Sequence, residues 1–388
     1  MRTRKRALSA GKIGLLITML LVTLLAVGCY GISSSPSGGS GATVTEDTIF
    51  LAPSLAQSGG FGCSSPSGEG KLVAINLETG VRRWEVTLTG AAVSGGFGCS
   101  GGTTPVAVYG DPTVYGELVY LAGYNGKVYA YNAESGASRW VYPREGNMDA
   151  IVGAVAAGEN MVFFTCSDGN VYALDAETGD FLWEFPTGDK IWSTPVYDAG
   201  TLYVGSFDKK FYALNAADGT EQWHFESEGA FASAPLVADG TVYVGTLDRY
   251  FYALDAADGT LKWDFQAEKW FWTRAVIVGD ALYIGCFDGK LYVLNASTGV
   301  QIAALDLESP VRSWPALAGD RVMVATEDGV IYAVDIASNQ LVLFADLEET
   351  VYAPLSVSGD ILYVYTQEQN LHAFNAETGV RLWNQPFN

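Results

Sequence analysis

Histidine is nearly missing from this chain: His224 and His372 are the only two in 388 residues. A histidine-rich zinc site or a histidine-based nucleophilic triad therefore lacks the side chains it needs. Cysteine is sparse too, at five, and no two cysteines are adjacent in sequence. Basic residues number 22 against 43 acidic ones, a formal net charge of −21, and setting aside Arg2, Arg4, Lys5, Arg6 and Lys12 takes it to −26. A surface of that sign excludes nucleic acid as a partner, because such binding rests on neutralising phosphates. It mainly keeps the protein soluble. Long apolar runs are absent apart from residues 13–27, whose fifteen residues fall short of the roughly 20 an α-helical membrane span requires.

What the chain has in quantity is aromatic and turn-forming residues. In the stretch 234–265, Ala-Pro-Leu-Val-Ala runs to Asp239-Gly240, Val242 and Val244 alternate with Tyr243 and Gly245, and Phe251 and Ala253 alternate with Tyr252 and Leu254. Alternation with period two in β-branched and aromatic residues marks strands. Asp239-Gly240 and Asp258-Gly259 supply tight turns between them. The stretch therefore predicts a four-stranded antiparallel meander, and the rest of the chain repeats it. A tryptophan four residues after the turn glycine sets the register, at Trp84, Trp140, Trp183, Trp223, Trp263 and Trp383, with Ala303 and Leu343 at the equivalent places of two further units. From Trp183 on, the spacing is 40 residues. Four strands per 40-residue unit predict an all-β, eight-bladed β-propeller of four-stranded antiparallel blades. Each tryptophan is expected to fill the space between neighbouring sheets as structural docking core. The pattern leaves open how the ring closes.

Residues 1–12 are basic and residues 13–27 apolar, the layout of a signal peptide. The stretch Leu25-Ala26-Val27-Gly28-Cys29 resembles a bacterial lipobox, which implies lipidation of Cys29. Residues 1–28 then form a lipoprotein signal peptide, 29–42 a Ser/Gly-rich tether and 43–388 the propeller. Cys63 and Cys99 sit in identical phrases, Ser-Gly-Gly-Phe-Gly-Cys-Ser, in two connections that emerge at one end of blade 1. In an exported protein they are expected to form a disulfide, the other reading being two free thiols. Cys166 and Cys286 share a repeat position three blades apart and are expected to be unbonded, small core residues.

Lys71, Lys127, Arg144, Lys190, Lys209, Lys210, Arg249, Lys269, Arg274, Lys290 and Arg312 all fall in or beside connections that share one face of the ring. On that face, just ahead of each inner strand, stand Trp192, Phe231, Trp272, Arg274, Arg312, Trp314 and Tyr352. Inner strands line a propeller's channel, so these side chains are expected at its mouth. Aromatics with arginines have the composition of binding hot spots, and a plug for the funnel is the second reading. Asp175, Glu177, Asp218, Asp258 and Glu377 recur in turns and are read as turn formers. The run Gly98-Cys-Ser100-Gly-Gly102 fits G-x-S-x-G in letters only, since it lies in a glycine-rich loop and has no histidine partner.

The phrase Tyr172-Ala-Leu-Asp175-Ala-Glu-Thr178-Gly179-Asp-Phe-Leu-Trp183, repeated as 129–140, 212–223, 252–263 and 373–383, resembles the pyrroloquinoline-quinone (PQQ) repeat proteins. The resemblance implies a propeller in which each tryptophan docks on the next blade. Within that family a lipobox followed by eight repeats is most similar to the outer-membrane assembly lipoproteins of the BamB type. That resemblance implies a non-catalytic scaffold, with no cofactor and no metal, lipid-anchored outside the cytoplasm on the cell membrane or outer membrane. It would be a monomer that binds a protein or peptide of the cell envelope. The alternative from the same family is a quinoprotein-like PQQ-dependent dehydrogenase. Such an enzyme is expected to carry adjacent cysteines against its cofactor, and this sequence has none.

Overall fold

The computed structural model describes residues 40–53, 70–88, 92–93, 102–103 and 106–387. Cys29, Cys63 and Cys99 lie outside the described residues, and with them the lipid anchor and the disulfide. Eight separate four-stranded antiparallel sheets follow one another along the chain, spanning 42–88, 113–142, 156–186, 196–226, 236–266, 276–306, 316–346 and 356–386. A short ladder of Ala92–Val93 with Gly102–Thr103 lies between blades 1 and 2. The chain is an eight-bladed propeller.

Blade 5 shows why the sequence folds this way. Leu236–Ala238 pairs with Thr241–Gly245, that strand with Tyr250–Asp255, and that in turn with Leu261–Gln266. The second strand is buried throughout and the third in its four central residues, whereas the fourth is mostly exposed. First strands of neighbouring blades meet one another, so they are innermost and the fourth strands form the rim. The turn before the fourth strand is held by the residue that ends the third: Asp175 Oδ1 accepts the Thr178 amide (2.8 Å) and hydroxyl (2.9 Å), and Asn295 Oδ1 does the same for Thr298 at 3.0 and 2.8 Å. Side-chain acceptors of this kind build turns locally, which accounts for Asp175. Asp218 and Asp258 have a related part, accepting from the amides of Thr220 and Thr260.

Blades are joined by a repeated lock. Trp223 donates Nε1–H to the Ala256 carbonyl of the next blade (3.1 Å), and Tyr203 OH donates to the same oxygen (3.2 Å). Trp140 with Tyr120 on Ala176, and Trp263 with Tyr243 on Ala296, repeat it. Trp84 and Trp183 donate to Ala133 and Ala216. The indole lies flat on the next blade's turn: a Cβ on Gly259, whose φ is +74°, would come within 2.5 Å of the Trp223 ring. Only glycine permits both that backbone and that approach. Eight apolar clusters result, one in each seam between blades.

The ring closes without exchanging strands. Ala42–Val44 is the inner strand of blade 1, and Ser40 and Gly41 are already buried against the ring, so the propeller begins slightly before the expected boundary at residue 43. Ser356 donates to the Ala42 carbonyl, Tyr363 OH to the Leu77 carbonyl at 3.5 Å, and the Trp383 ring covers Gly80. Here the lock is incomplete, because the buried Trp383 Nε1 has no acceptor among the described residues.

Candidate binding face at the channel mouth

The lead-in to each inner strand alternates between buried and half-exposed residues. In blade 6, Phe271, Thr273 and Ala275 are buried, and Trp272 and Arg274 are half-exposed. Hydrogen bonds fix the register of this segment. Ser193, Ser233, Thr273 and Ser313 each donate their hydroxyl to the carbonyl that ends their blade's second strand, at 2.6, 3.0, 3.2 and 2.8 Å. The half-exposed residues therefore recur at two repeat positions. Trp192, Trp272, Arg312 and Tyr352 occupy the first, and Thr194, Arg274, Trp314 and Pro354 the second.

Phe231 does not belong to this set. It is fully buried in the seam between blades 4 and 5, with its ring 5.5 Å from Phe211 and 6.3 Å from Tyr252. The 40-residue spacing already puts it in register with buried Ile191, and blade 5 offers Ala232 where blade 4 offers Trp192. An aromatic side chain of this size is held by core packing as readily as by exposure on a binding surface. Phe271 is buried for the same reason.

The two arginines of the mouth differ in their bonding. Arg312 is tied within the protein: its Nε donates to Glu327 Oε2 at 2.9 Å, and its guanidinium lies 4.9 Å from the Phe287 ring centroid and 4.6 Å from that of Tyr352. Tyr352 OH completes the assembly by donating to Glu327 Oε1 at 3.0 Å. Sandwiched between two rings and paired with a carboxylate, Arg312 holds blades 6, 7 and 8 together at the mouth. Arg274 has no ion pair or hydrogen-bond partner among the described residues, and burial depresses its pKa from the ordinary guanidinium value. Trp192 packs edge-on against Phe207 at 4.9 Å, under Lys190, whose Nζ lies 4.4 Å from the indole. Two contributors were not anticipated: exposed Trp270, 5.3 Å from Phe287, and Glu327. Trp270 stands two residues before Trp272, on the same side of the alternation, and that parity was the signal for it.

Much of the positive face is internally neutralised. Lys71, Arg144, Lys210 and Lys290 pair with Glu85, Asp180, Glu226 and Glu268, as Arg312 does with Glu327. Opposite Arg274 in the ring's order, four blades away in blade 2, Asp111 accepts the Gly41 amide at 2.5 Å. Burial pushes its carboxyl up to about 6. It stitches the start of the ring to blade 2.

The buried histidine and the two buried cysteines are structural in their contacts. His372 is buried at a position where other blades carry tyrosine; its Nε2 lies 3.3 Å from Glu349 Oε2, and burial lowers its pKa. Cys166 and Cys286 are buried free thiols, each pushed up to about 12 by desolvation. Among the described residues no group of three His, Cys, Asp or Glu is placed to hold a metal ion. An open cleft of about 430 Å³ lies between blades 5 and 6, lined by Arg249, Gln266, Lys290, Tyr292 and Ala304.

Comparison with known proteins agrees with this architecture. The family model described as "Outer membrane protein assembly factor BamB" matches residues 31–190, 167–313 and 303–387. No curated protein matches the chain by sequence. Among solved structures, the chain is similar to BamB from Moraxella catarrhalis, with a TM-score of 0.67, 18% identity, and coverage of 84% of this chain and 91% of that one. It is also similar to the computationally designed Ika8 protein, with a TM-score of 0.65, 16% identity, and 72% and 87% coverage. The quinohemoprotein alcohol dehydrogenase ADHIIG from Pseudomonas putida HK5 shares the fold more distantly, with a TM-score of 0.56, 16% identity, and 71% and 66% coverage. At such identities the structural likenesses establish the fold alone. The family model, which spans all eight blades, places this chain in the family of the outer membrane protein assembly factor BamB.

Proposed function

We propose that this protein is a non-catalytic scaffold, lipid-anchored through Cys29, that binds an envelope protein or peptide at the channel mouth around Trp272, Arg274 and Trp314. The observation that carries the reading is Arg274, a half-buried guanidinium at the mouth with no counter-charge among the described residues. A guanidinium grips a carboxylate through two parallel hydrogen bonds, and flanking tryptophans supply apolar area for a partner's side chains. Arg312 is a post that shapes the mouth, because its charge is already committed to Glu327. With the chain so acidic, attraction for a carboxylate is local and short-ranged.

The test uses the partner crosslinked and recovered from native membranes. Arg274→Ala should weaken its binding by about 2 kcal/mol or more, the hot-spot scale, without lowering the melting temperature. Full-strength binding by that variant would remove the mouth from the reading. Cys29→Ser should move the protein to the soluble fraction, which tests the anchor separately. The competing enzyme reading has its own arm: tight stoichiometric binding of added PQQ with calcium, followed by dye reduction with alcohols or sugars, would overturn a scaffold role.

A further inference from the structure

The rim of the ring is not uniform. Every blade ends in an outer strand whose far edge pairs with nothing among the described residues. Such an edge is a template for another strand, and proteins guard it with charge or proline. Six blades are guarded: blade 1 by Arg82, Arg83 and Glu85, blade 2 by Arg139, blade 3 by Glu184 and Pro186, blade 4 by Glu221 and Glu226, blade 5 by Lys262 and Asp264, and blade 8 by Arg381 and Pro386. Blades 6 and 7 are not. Their outer strands, Gln301–Asp306 and Leu341–Asp346, carry no charge and no proline before the final aspartate. Their apolar side chains face solvent, with Ile302 50%, Val342 57% and Leu343 61% exposed.

We infer that the outer edge of blade 7 is a docking site for an extended, apolar segment of another protein that is flanked by basic residues and adds as a fifth strand. Charge selects this occupant. The edge itself is neutral, but Asp320 and Asp335 around the single cation Arg321 leave a net negative charge near one end, and Asp346 and Glu348 stand near the other, so a lysine or arginine beyond each end of the added strand meets a carboxylate. A second copy of this chain brings the same acidic ends and a net charge of the same sign, which opposes edge-to-edge pairing. Main-chain hydrogen bonds give such an addition its affinity, and alternate side chains give it specificity. Exposed Val342 and Leu343 provide the apolar contacts, two large side chains where the blade 6 strand exposes Ile302 alone, and that difference selects blade 7 over blade 6. The site lies on the rim, apart from the channel mouth, and its test is independent of Arg274.

The experiment uses the full chain and three synthetic peptides. The probe alternates valine and threonine over seven residues, with two lysines at each end; one control is the same peptide with alternate amides N-methylated, and the other has glutamates for lysines. The probe should bind one to one, the N-methylated peptide at least about tenfold more weakly because it has lost ladder donors, and the acidic peptide more weakly still. Val342→Lys, which restores the guard worn by other blades at an exposed position, should abolish probe binding with an unchanged melting temperature. Gln222→Lys on the guarded edge of blade 4 should leave binding intact. Equal binding of the N-methylated peptide, or undiminished binding by Val342→Lys, would overturn strand addition. Concentration-dependent dimers in sedimentation that Val342→Lys dissolves would overturn the choice of occupant.

Discussion

Two adjoining seams, between blades 5 and 6 and between blades 6 and 7, are built from the same repeat to different rules. In the first, Trp263 donates to the Ala296 carbonyl at 2.8 Å, Tyr243 donates to the same oxygen at 3.1 Å, and the ring lies over Gly299. In the second, Ala303 replaces the tryptophan, Asn339 replaces the turn glycine, and Tyr283 OH reaches Asn339 Oδ1 at 3.4 Å. The apolar cluster of the second seam contains no tryptophan. Loss of the indole and loss of the glycine go together for a physical reason: without a ring lying on the turn, a side chain there costs only its positive φ, and asparagine tolerates that conformation. The same two blades depart from the repeat at every radius. They carry Arg274 and Trp314 at the axis, Ala303 and Asn339 in the seam, and Ile302 and Val342 on the unguarded rim. Breaks with local rules gather where a fold serves something besides its own stability.

The largest expected effect tests whether the first seam owes its strength to the lock. Trp263→Ala should cost about 3–5 kcal/mol, as for other large-to-small changes of a buried aromatic, read by denaturant unfolding with an unchanged slope. If the midpoint does not move, the indole is not wedged between blades and the contrast with the neighbouring seam disappears.

Much of this was legible in the sequence. The 40-residue spacing of the tryptophans, the turn glycines and the alternation of Val242 through Leu254 follow from local chemistry, and they lead to eight blades without reference to distant contacts. Two features were not legible. Trp272 and Arg274 could be placed at the mouth by counting, but the commitment of Arg312 to Glu327 depends on packing between blades, which spacing does not encode. Counting also misplaces the aromatic of blade 7. Leu343 falls where the tryptophan should be, yet it is exposed, because the bulge in this blade has moved: Tyr332 pairs with Leu343 and Ile331 with Ala345, so Phe344 is the extra residue. In blade 5 the extra residue is Lys262. A bulge redirects side chains by one place, and Phe344 packs 5.9 Å from Phe374 with its ring 3.7 Å from a Cβ built on Gly379. It does the tryptophan's work in the seam between blades 7 and 8. Phe344→Ala should therefore cost about 1–3 kcal/mol, and Leu343→Ala less than about 0.5 kcal/mol as a surface change. Equal losses in thermal unfolding would put the docking residue back at 343.

The smallest expected effect is also the sharpest test of the comparison, because it asks for a change of sign. If the second seam differs from the first only by a ring and the turn that receives it, supplying the ring alone should fail. In the neighbouring blade a Cβ on Gly299 would come within 2.6 Å of the Trp263 ring. Asn339 has such a Cβ, at a comparable φ of +55°, so Ala303→Trp by itself forces an indole against a side chain that cannot withdraw and should destabilise the protein. Asn339→Gly by itself removes the Tyr283 contact and adds backbone freedom to the unfolded chain, a further small loss. Together the two changes rebuild the lock, with the Ile336 carbonyl standing where Ala296 stands for Trp263, and the double variant should gain about 1 kcal/mol, within the range of cavity-filling and consensus changes. Residues that touch couple in this way, and a double-mutant cycle measures the coupling. Unfolding midpoints of the three variants decide it: if the two single losses simply add in the double variant, then the seam between blades 6 and 7 has a packing of its own and is not the common lock with two parts removed.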